Sequence, residues 1–575
     1  MAGLLRTYLR PHRRVLVLIA ILLLVQAFGN LYLPNLNADI INDGVVTGDT
    51  GYIMRVGGIM LVVSALLGVA AIVTVYFSAR TAMRLGRDIR RDLFRRVEEF
   101  SLSQVYEFGV PSLITRNTND VQQIQMLVMV GLTMMVLAPI TAIGGVIMAI
   151  RLNVQLSALL LVTIPVMAGV VGLMILKAVP LFRSMQVKMD GVNGVLRENL
   201  TGIRVIRAFV RTVREEERFA ESNADLTSTA LSVTRLFALM MPALMLIMYL
   251  STVATIWFGG QLIADGSMPI GDLIAFQAYI MQILGSVMMA VMMLMMIPRA
   301  AASGERIRQV LDTSPEIDEP SGTGRLPQRG RIELRDVEFR YPGAEDAVLQ
   351  GVSFTLEPGT TTAIVGGTGS GKTTLVNLLP RLMDVTGGHV LVDGIDIRDV
   401  PLEHLWSLFG LVPQKAFLFT GTVASNVRFG RPDATDEQVE EALRVAQAWD
   451  FVADLSEGLD SAIEQGGANL SGGQRQRMAI ARSIVRDPQV YLFDDSFSAL
   501  DYSTDARLRA ALAARTQDRT VAIVAQRVRT IMDADQIVVL DRGRVVGLGR
   551  HEDLIEGCEA YREIVLSQMS LEEAG

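Results

Sequence analysis

Two short strings in the C-terminal half carry chemistry by residue type and spacing. The first, Gly366-Gly367-Thr368-Gly369-Ser370-Gly371-Lys372-Thr373-Thr374, fits GxxxxGK[ST]. It follows the apolar, β-branched run 361–365 (TTAIV) and opens an apolar helical pattern, so a strand, a loop and a helix are predicted around it. Glycines there let successive backbone N–H groups converge on phosphate oxygens, and a helix start favours the anion. Lys372 then reaches the β- and γ-phosphates of a nucleotide, and the Thr373 hydroxyl ligates magnesium. The second string is Asp494-Asp495, closing the apolar run 490–493 (VYLF). Asp494 stands where a strand-end carboxylate completes the magnesium shell.

The elements that must position these residues occupy only part of the chain. It has 575 residues, 50% hydrophobic and 20% charged, with a formal charge of -7 and one cysteine, Cys558. That composition excludes a disordered chain, collagen and a small disulfide scaffold. The lone thiol excludes an internal disulfide and a cysteine-built zinc or iron-sulfur centre. The acidic balance argues against a nucleic-acid partner.

The apolar residues crowd into the first half. Residues 15–33, 57–77, 126–150, 156–176, 237–258 and 273–297 form six stretches of about twenty or more mostly apolar residues, long enough to cross a bilayer. None follows Pro298. Residues 304–330, with Pro315, Pro320, Gly322, Gly324 and Pro327, read as a linker between a membrane domain at 1–303 and a soluble domain at 331–575. The predicted fold class is an all-α six-helix transmembrane domain followed by an α/β P-loop nucleotidase domain.

Basic residues set the expected orientation. Arg6, Arg10, Arg13 and Arg14 precede the first span, seven arginines from Arg80 to Arg96 follow the second, and Lys177, Arg183, Lys188, Arg197, Arg204 and Arg207 follow the fourth. Loops 44–51 and 259–271 have no Lys or Arg, and only Arg151 opposes the pattern. The N-terminus and the soluble half are therefore expected in the cytoplasm of a multi-pass protein of the cell (inner) membrane. Leu4, Leu5, Tyr8 and Leu9, ahead of Pro11, predict an interfacial helix leading into a retained span rather than a cleaved signal peptide. Residues 80–100, 177–197 and 211–229 have charged helical patterns that extend past the membrane as stalks. Short turns are expected between the stalks at 111–120 (PSLITRNTND) and 199–209 (NLTGIRVIRAF).

Leu470-Ser471-Gly472-Gly473-Gln474 is the LSGGQ signature of ATP-binding cassette (ABC) proteins. Together with the phosphate loop, Gln414 in LVPQ, Ser498-Ala499-Leu500-Asp501 and Tyr341, it makes the chain resemble that family. Over essentially its whole length the chain resembles an exporter-type half-transporter, two of which make one pump. The resemblance implies ATP and Mg2+ as cofactors. It implies that Tyr341 stacks on adenine, that Gln414 touches magnesium and senses the membrane domain, and that Asp501 communicates between sites. It also implies that Ser471, Gly473 and Gln474 bind the γ-phosphate held by the opposite cassette, and that the turns near Thr115 and Gly202 are coupling helices.

Two catalytic positions depart from the family pattern, and a smaller departure lies before the signature. Asp495 stands where the family usually has a catalytic Glu, and Gln526, in VAIVAQR at 521–527, stands where it has a switch His. The carboxylate of Asp495 sits about 1 Å back, a displacement that costs on the order of a hundredfold in rate. An amide neither titrates near neutrality nor carries an imidazolium's charge. Gln465 replaces a Glu that many exporters carry before the signature. The chain's own site is therefore expected to bind ATP and hydrolyse it slowly or not at all, while its intact signature completes a competent site on a partner. That predicts a heterodimer with a second half-transporter; a homodimer with two slow sites is the alternative.

The cargo is less sharply marked. Met281, Met288, Met289, Met292, Met293, Met295 and Met296 on the last span, and Met240, Met241, Met245 and Met248 on the fifth, suit either an adaptable apolar cavity or ordinary lipid-facing packing. Charges are almost absent from the spans, which favours a hydrophobic or amphipathic small molecule, a drug or a lipid. An importer or a lipid flippase on the same scaffold remains an alternative, and a purely regulatory role is opposed by the intact signature.

Overall fold

The first half of the chain runs through α1 (Ala2–Val45), α2 (Thr50–Glu98), the short α3 (Leu102–Phe108), α4 (Val110–Leu152), α5 (Val154–Ala208), α6 (Thr212–Ala264) and α7 (Ile270–Asp312). All except α3 are long and apolar enough to cross a membrane, so this is a multi-pass membrane protein. These are features of a computed structural model that describes residues 1–320 and 326–568. The chain divides into two units, Met1–Arg95 with Pro111–Thr313, and Arg96–Val110 with Ser314–Gly575.

The membrane unit packs around Leu31, Leu160, Met167, Phe276, Tyr279 and Ile283. Without a strong hydrophobic drive between helices in lipid, close approach depends on small residues. A Cβ on Gly145 would meet Ile283 Cγ1 at 2.8 Å, so that glycine lets α4 and α7 touch. The Tyr279 hydroxyl donates to Leu31 O at 2.7 Å, and Gln26 Nε2 donates to the Thr74 hydroxyl at 2.8 Å, satisfying buried polar groups inside the bundle. The 55 residues of α5 rise about 80 Å, more than twice the hydrocarbon thickness, so the predicted stalks are continuous with the spans. Of the methionines, Met293 is buried, Met240, Met248 and Met288 pack on the core, and Met241 and Met245 are exposed. The side chains of Met292 and Met295 lie outside the described set.

Three expectations change here. Residues 111–120 are not a turn but the opening of α4, with Thr115 ending an α-helical stretch and Arg116–Asp120 forming a π turn without interrupting the helix. The polar residues that suggested a turn are satisfied inside the helix: the Thr115 and Thr118 hydroxyls donate to Pro111 O at 2.9 Å and Ile114 O at 2.8 Å. Asp120 is buried, accepting from Arg306 Nε at 2.7 Å and from the Ser303 hydroxyl at 2.8 Å. Gly202 is likewise helical, and the chain reverses only at residues 209–211, where Val210 takes φ 52° and Phe209 is exposed. Finally, α7 continues through Asp312, so residues 304–312 of the expected linker are helical. Gly322 and Gly324 lie outside the described residues.

The second unit is α/β. Its strands are β1 (Ile332–Phe339), β2 (Leu349–Leu356), β3 (Thr361–Gly366), β4 (Gly387–Val392), β5 (Ile395–Asp396) and β6 (Phe409–Val412). They continue with β7 (Gly421–Thr422), β8 (Ala462–Ile463), β9 (Val490–Asp494), β10 (Thr520–Val524), β11 (Gln536–Asp541) and β12 (Arg544–Gly549). A six-stranded sheet has the order β12-β11-β3-β10-β9-β6, parallel except for the edge pair β11-β12. A four-stranded antiparallel sheet has the order β2-β1-β4-β5, and β7 pairs with β8. Every residue of β9 and β10 is buried, as in parallel strands covered on both faces. The register pairs Val524 with Asp494 and Val521 with Thr361, which brings the ends of β3, β9 and β10 to one edge.

The helix α3 belongs to this unit. Leu102 packs on the core shared by the two sheets, and its N–H donates to Leu382 O at 3.1 Å. Ser101 caps α3 and donates from its hydroxyl to Glu316 at 2.6 Å, while Gln104 Nε2 donates to Ser314 O at 2.9 Å. The segment 96–110 of the N-terminal half is therefore part of the cassette unit.

Candidate nucleotide site

The phosphate loop joins β3 to α8 (Lys372–Leu378). Gly369 and Gly371 take φ of 82° and 98°, the left-handed region that favours glycine. A Cβ at Gly371 would also meet Leu349 Cδ2 at 2.7 Å, whereas Gly367 and Gly369 face open space. Lys372 Nζ lies over the loop, donating to Gly366 O at 2.8 Å and Gly367 O at 2.7 Å. Burial pushes the Lys372 ammonium below its ordinary pKa, opposed by the carboxylates of Asp494 and Asp495. The Thr373 hydroxyl donates to Asp494 Oδ1 at 3.3 Å, placing a hydroxyl and a carboxylate oxygen side by side. Burial raises the Asp494 pKa, opposed by that hydroxyl.

This donor set fits a magnesium nucleotide. An open glycine cradle, a lysine held by backbone carbonyls and hard oxygen ligands at Thr373 and Asp494 match phosphate and magnesium chemistry. Thr368 is exposed and Ser370 buried, while the Tyr341 hydroxyl is 3.1 Å from the Thr374 hydroxyl. That bond, with an edge-on contact to Phe339, holds the tyrosine beside α8.

Asp495 leaves β9 with φ 47°, a left-handed conformation in which aspartate is enriched among non-glycine residues. Its N–H donates to Val524 O at 2.9 Å, and its carboxylate accepts from Gln414 Nε2 at 3.2 Å. Among the described residues, Gln414 thus bonds the carboxylate next to Asp494 in sequence. Gln526 is exposed at the end of β10. Arg527 next to it donates to Ser498 O at 3.0 Å and Leu500 O at 3.3 Å, tying this loop to the segment ending at Asp501. Asp501 caps α10 (Tyr502–Arg515), accepting the Thr504 N–H at 3.0 Å. The Ser503 hydroxyl and that N–H hold its carboxyl well below the usual range.

The signature forms the start of α9 (Gly472–Arg486). Ser471 Oγ accepts the Gln474 N–H at 3.2 Å and Gln474 Oε1 accepts the Ser471 N–H at 2.8 Å, a reciprocal cap. A Cβ on Gly473 would lie 3.2 Å from Ala499 O. Ser471 and Gly472 are exposed, and among the described residues no hydrogen bond joins the signature to the phosphate loop. One contact escaped the sequence reading: Gln568 donates to Gln526 O at 2.7 Å and accepts the Val528 N–H at 2.9 Å, clasping the loop that carries Gln526.

Comparison with known proteins agrees with this geometry. The ABC transporter transmembrane region family matches residues 16–287 and the ABC transporter family matches residues 349–498. An uncharacterized ABC transporter ATP-binding protein of Mycobacterium tuberculosis is 48% identical over 572 residues, covering 98% of each chain. The chain belongs to the ABC transporter family. This ABC transporter is also 33% identical over 492 residues to a Staphylococcus aureus protein provisionally named a multidrug export ATP-binding/permease protein, covering 85% of each chain. It superposes on the structure of a bacterial Atm1-family ABC exporter with ATP bound, at a TM-score of 0.80 and 25% identity, over 97% of this chain and 98% of that one. The ABC transporter therefore has the fold of an exporter half-transporter, with its transmembrane domain fused to its cassette.

Proposed function

We propose that this half-transporter exports hydrophobic or amphipathic small molecules, drugs or lipids, as one subunit of a heterodimer with unequal ATP sites. The observation that carries the reading is the contrast within one cassette: the signature is intact, while Asp495 and Gln526 replace the usual Glu and His. The Staphylococcus aureus relative and the Atm1-family structure support export, and the near absence of charges from the spans supports an apolar cargo. The transporter lies in the cell membrane with its N-terminus and cassette in the cytoplasm, as the distribution of Arg and Lys supports.

In this reading Lys372 and the loop amides bind the ATP phosphates, and Tyr341 stacks on adenine. Thr373 and Asp494 would hold magnesium, with Gln414 beside them on Asp495, and the bound ion would supply charge to offset the phosphates. Asp495 orients water poorly, being one methylene short of the family's Glu and already bonded to Gln414. Ser471, Gly472, Gly473 and Gln474 supply N–H and hydroxyl groups to ATP on the partner's cassette, where hydrolysis resets the pump. Asp501 and the neighbouring Arg527 link the two sites, and cassette closure reorients the spans by alternating access.

The test is the ATPase rate of the purified chain alone in mild detergent. The reading predicts ATP binding with turnover near background; turnover at the rate of an ordinary exporter would establish the homodimer.

A further inference from the structure

The N-terminal bend carries an observation independent of the ATP sites. Within α1, the α-helical stretch Ala2–Leu9 passes through a single 3₁₀ turn at Arg10–His12, and α-helix resumes at Arg13. Arg6, Thr7, Arg10, Pro11, Arg13 and Arg14 line an open cleft of about 830 Å³ at this bend. The opposite side of the first helix is fixed, with Leu4 buried and the Tyr8 hydroxyl donating to Asp92 at 2.9 Å. The four arginines are therefore gathered by the fold rather than by attraction to acids.

No acid is available to them nearby in sequence, because no Asp or Glu precedes Asp39. Among the described residues none of the four makes an ion pair, whereas on α2 Arg87 pairs with Asp88 at 2.8 Å and Arg91 with Asp92 at 2.9 Å. His12 Nε2, at the same bend, is buried without a hydrogen-bond partner. Four unneutralised guanidinium groups around one cleft call for an anion, and their planar forks match phosphate. The surface continuing from the cleft is apolar: Val17, Leu18 and Ile21 follow Arg14 at helical spacing and are all exposed. A ligand with a phosphate head and an aliphatic body matches both parts.

We propose that this cleft binds the headgroup phosphate of an anionic phospholipid, with the acyl chains along Val17, Leu18 and Ile21. The proposal does not depend on transport direction or partner.

Its test uses the full chain, purified in mild detergent, and measures binding of fluorescent phosphatidylglycerol against fluorescent phosphatidylcholine, with inorganic phosphate as competitor. Wild type is expected to prefer phosphatidylglycerol about tenfold, and the R6Q/R10Q/R13Q/R14Q variant to lose that preference. If the Gln variant fails to insert, R6K/R10K/R13K/R14K retains the charge while losing the forks, and an intermediate preference supports the site. Equal binding of the two lipids by wild type, or an undiminished preference in the Gln or Lys variant, overturns the proposal. Displacement by inorganic phosphate at concentrations equal to the lipid overturns it as well, since the cleft would then bind free phosphate.

Discussion

The phosphate-loop edge and the signature edge of the same cassette differ in how each is completed. At the first, side chains satisfy one another within the chain: Lys372 on loop carbonyls, Thr373 on Asp494, Gln414 on Asp495. At the second, the reciprocal Ser471–Gln474 cap organises a helix start while Ser471 and Gly472 stay exposed. Asp495, one of the departures from the family pattern, lies at the first edge, whereas the signature string itself is intact. In the proposed heterodimer, a cassette with these departures and exposed signature donors serves its partner's ATP.

That contrast is open to attack from both sides. The largest expected effect is at the signature: Ser471→Ala in the assembled pump should lower turnover by about a hundredfold, as loss of one preorganised donor does, measured as steady-state ATPase. Next, Asp495→Glu with Gln526→His should raise the ATPase of this chain by tens-fold; no change would count against the assignment of both positions. Lys372→Ala should weaken nucleotide binding to this chain by about tenfold while the assembled pump keeps most of its turnover, read by nucleotide titration beside ATPase. The smallest effect is expected at the clasp. Gln568→Ala removes two hydrogen bonds to the Gln526 loop, worth about 1 kcal/mol each, and should change turnover severalfold without altering nucleotide affinity.

The legible and illegible parts separate along local and distant causes. The phosphate loop, β3 and β9 were predictable because each depends on neighbours a few residues away, and the six spans because length and hydropathy alone fix them. The seat of α3 was not: SLSQVYEF lies just past the stalk expected over 80–100, and its partners Ser314, Glu316 and Leu382 are more than two hundred residues distant in sequence. The stretch 111–120 misled in the opposite direction. Its threonines bond back into their own helix and Asp120 is neutralised by Arg306, a residue the sequence placed in a linker. The Gln568 clasp, 42 residues from Gln526, leaves no signal of spacing.

The most direct test of the asymmetric pump is affinity capture of the tagged chain from its native membrane in mild detergent, followed by mass spectrometry of the bound protein. The account predicts a stoichiometric second half-transporter with Glu and His at the positions matching Asp495 and Gln526. Recovery of this chain alone, as an ATPase-active dimer, would contradict it.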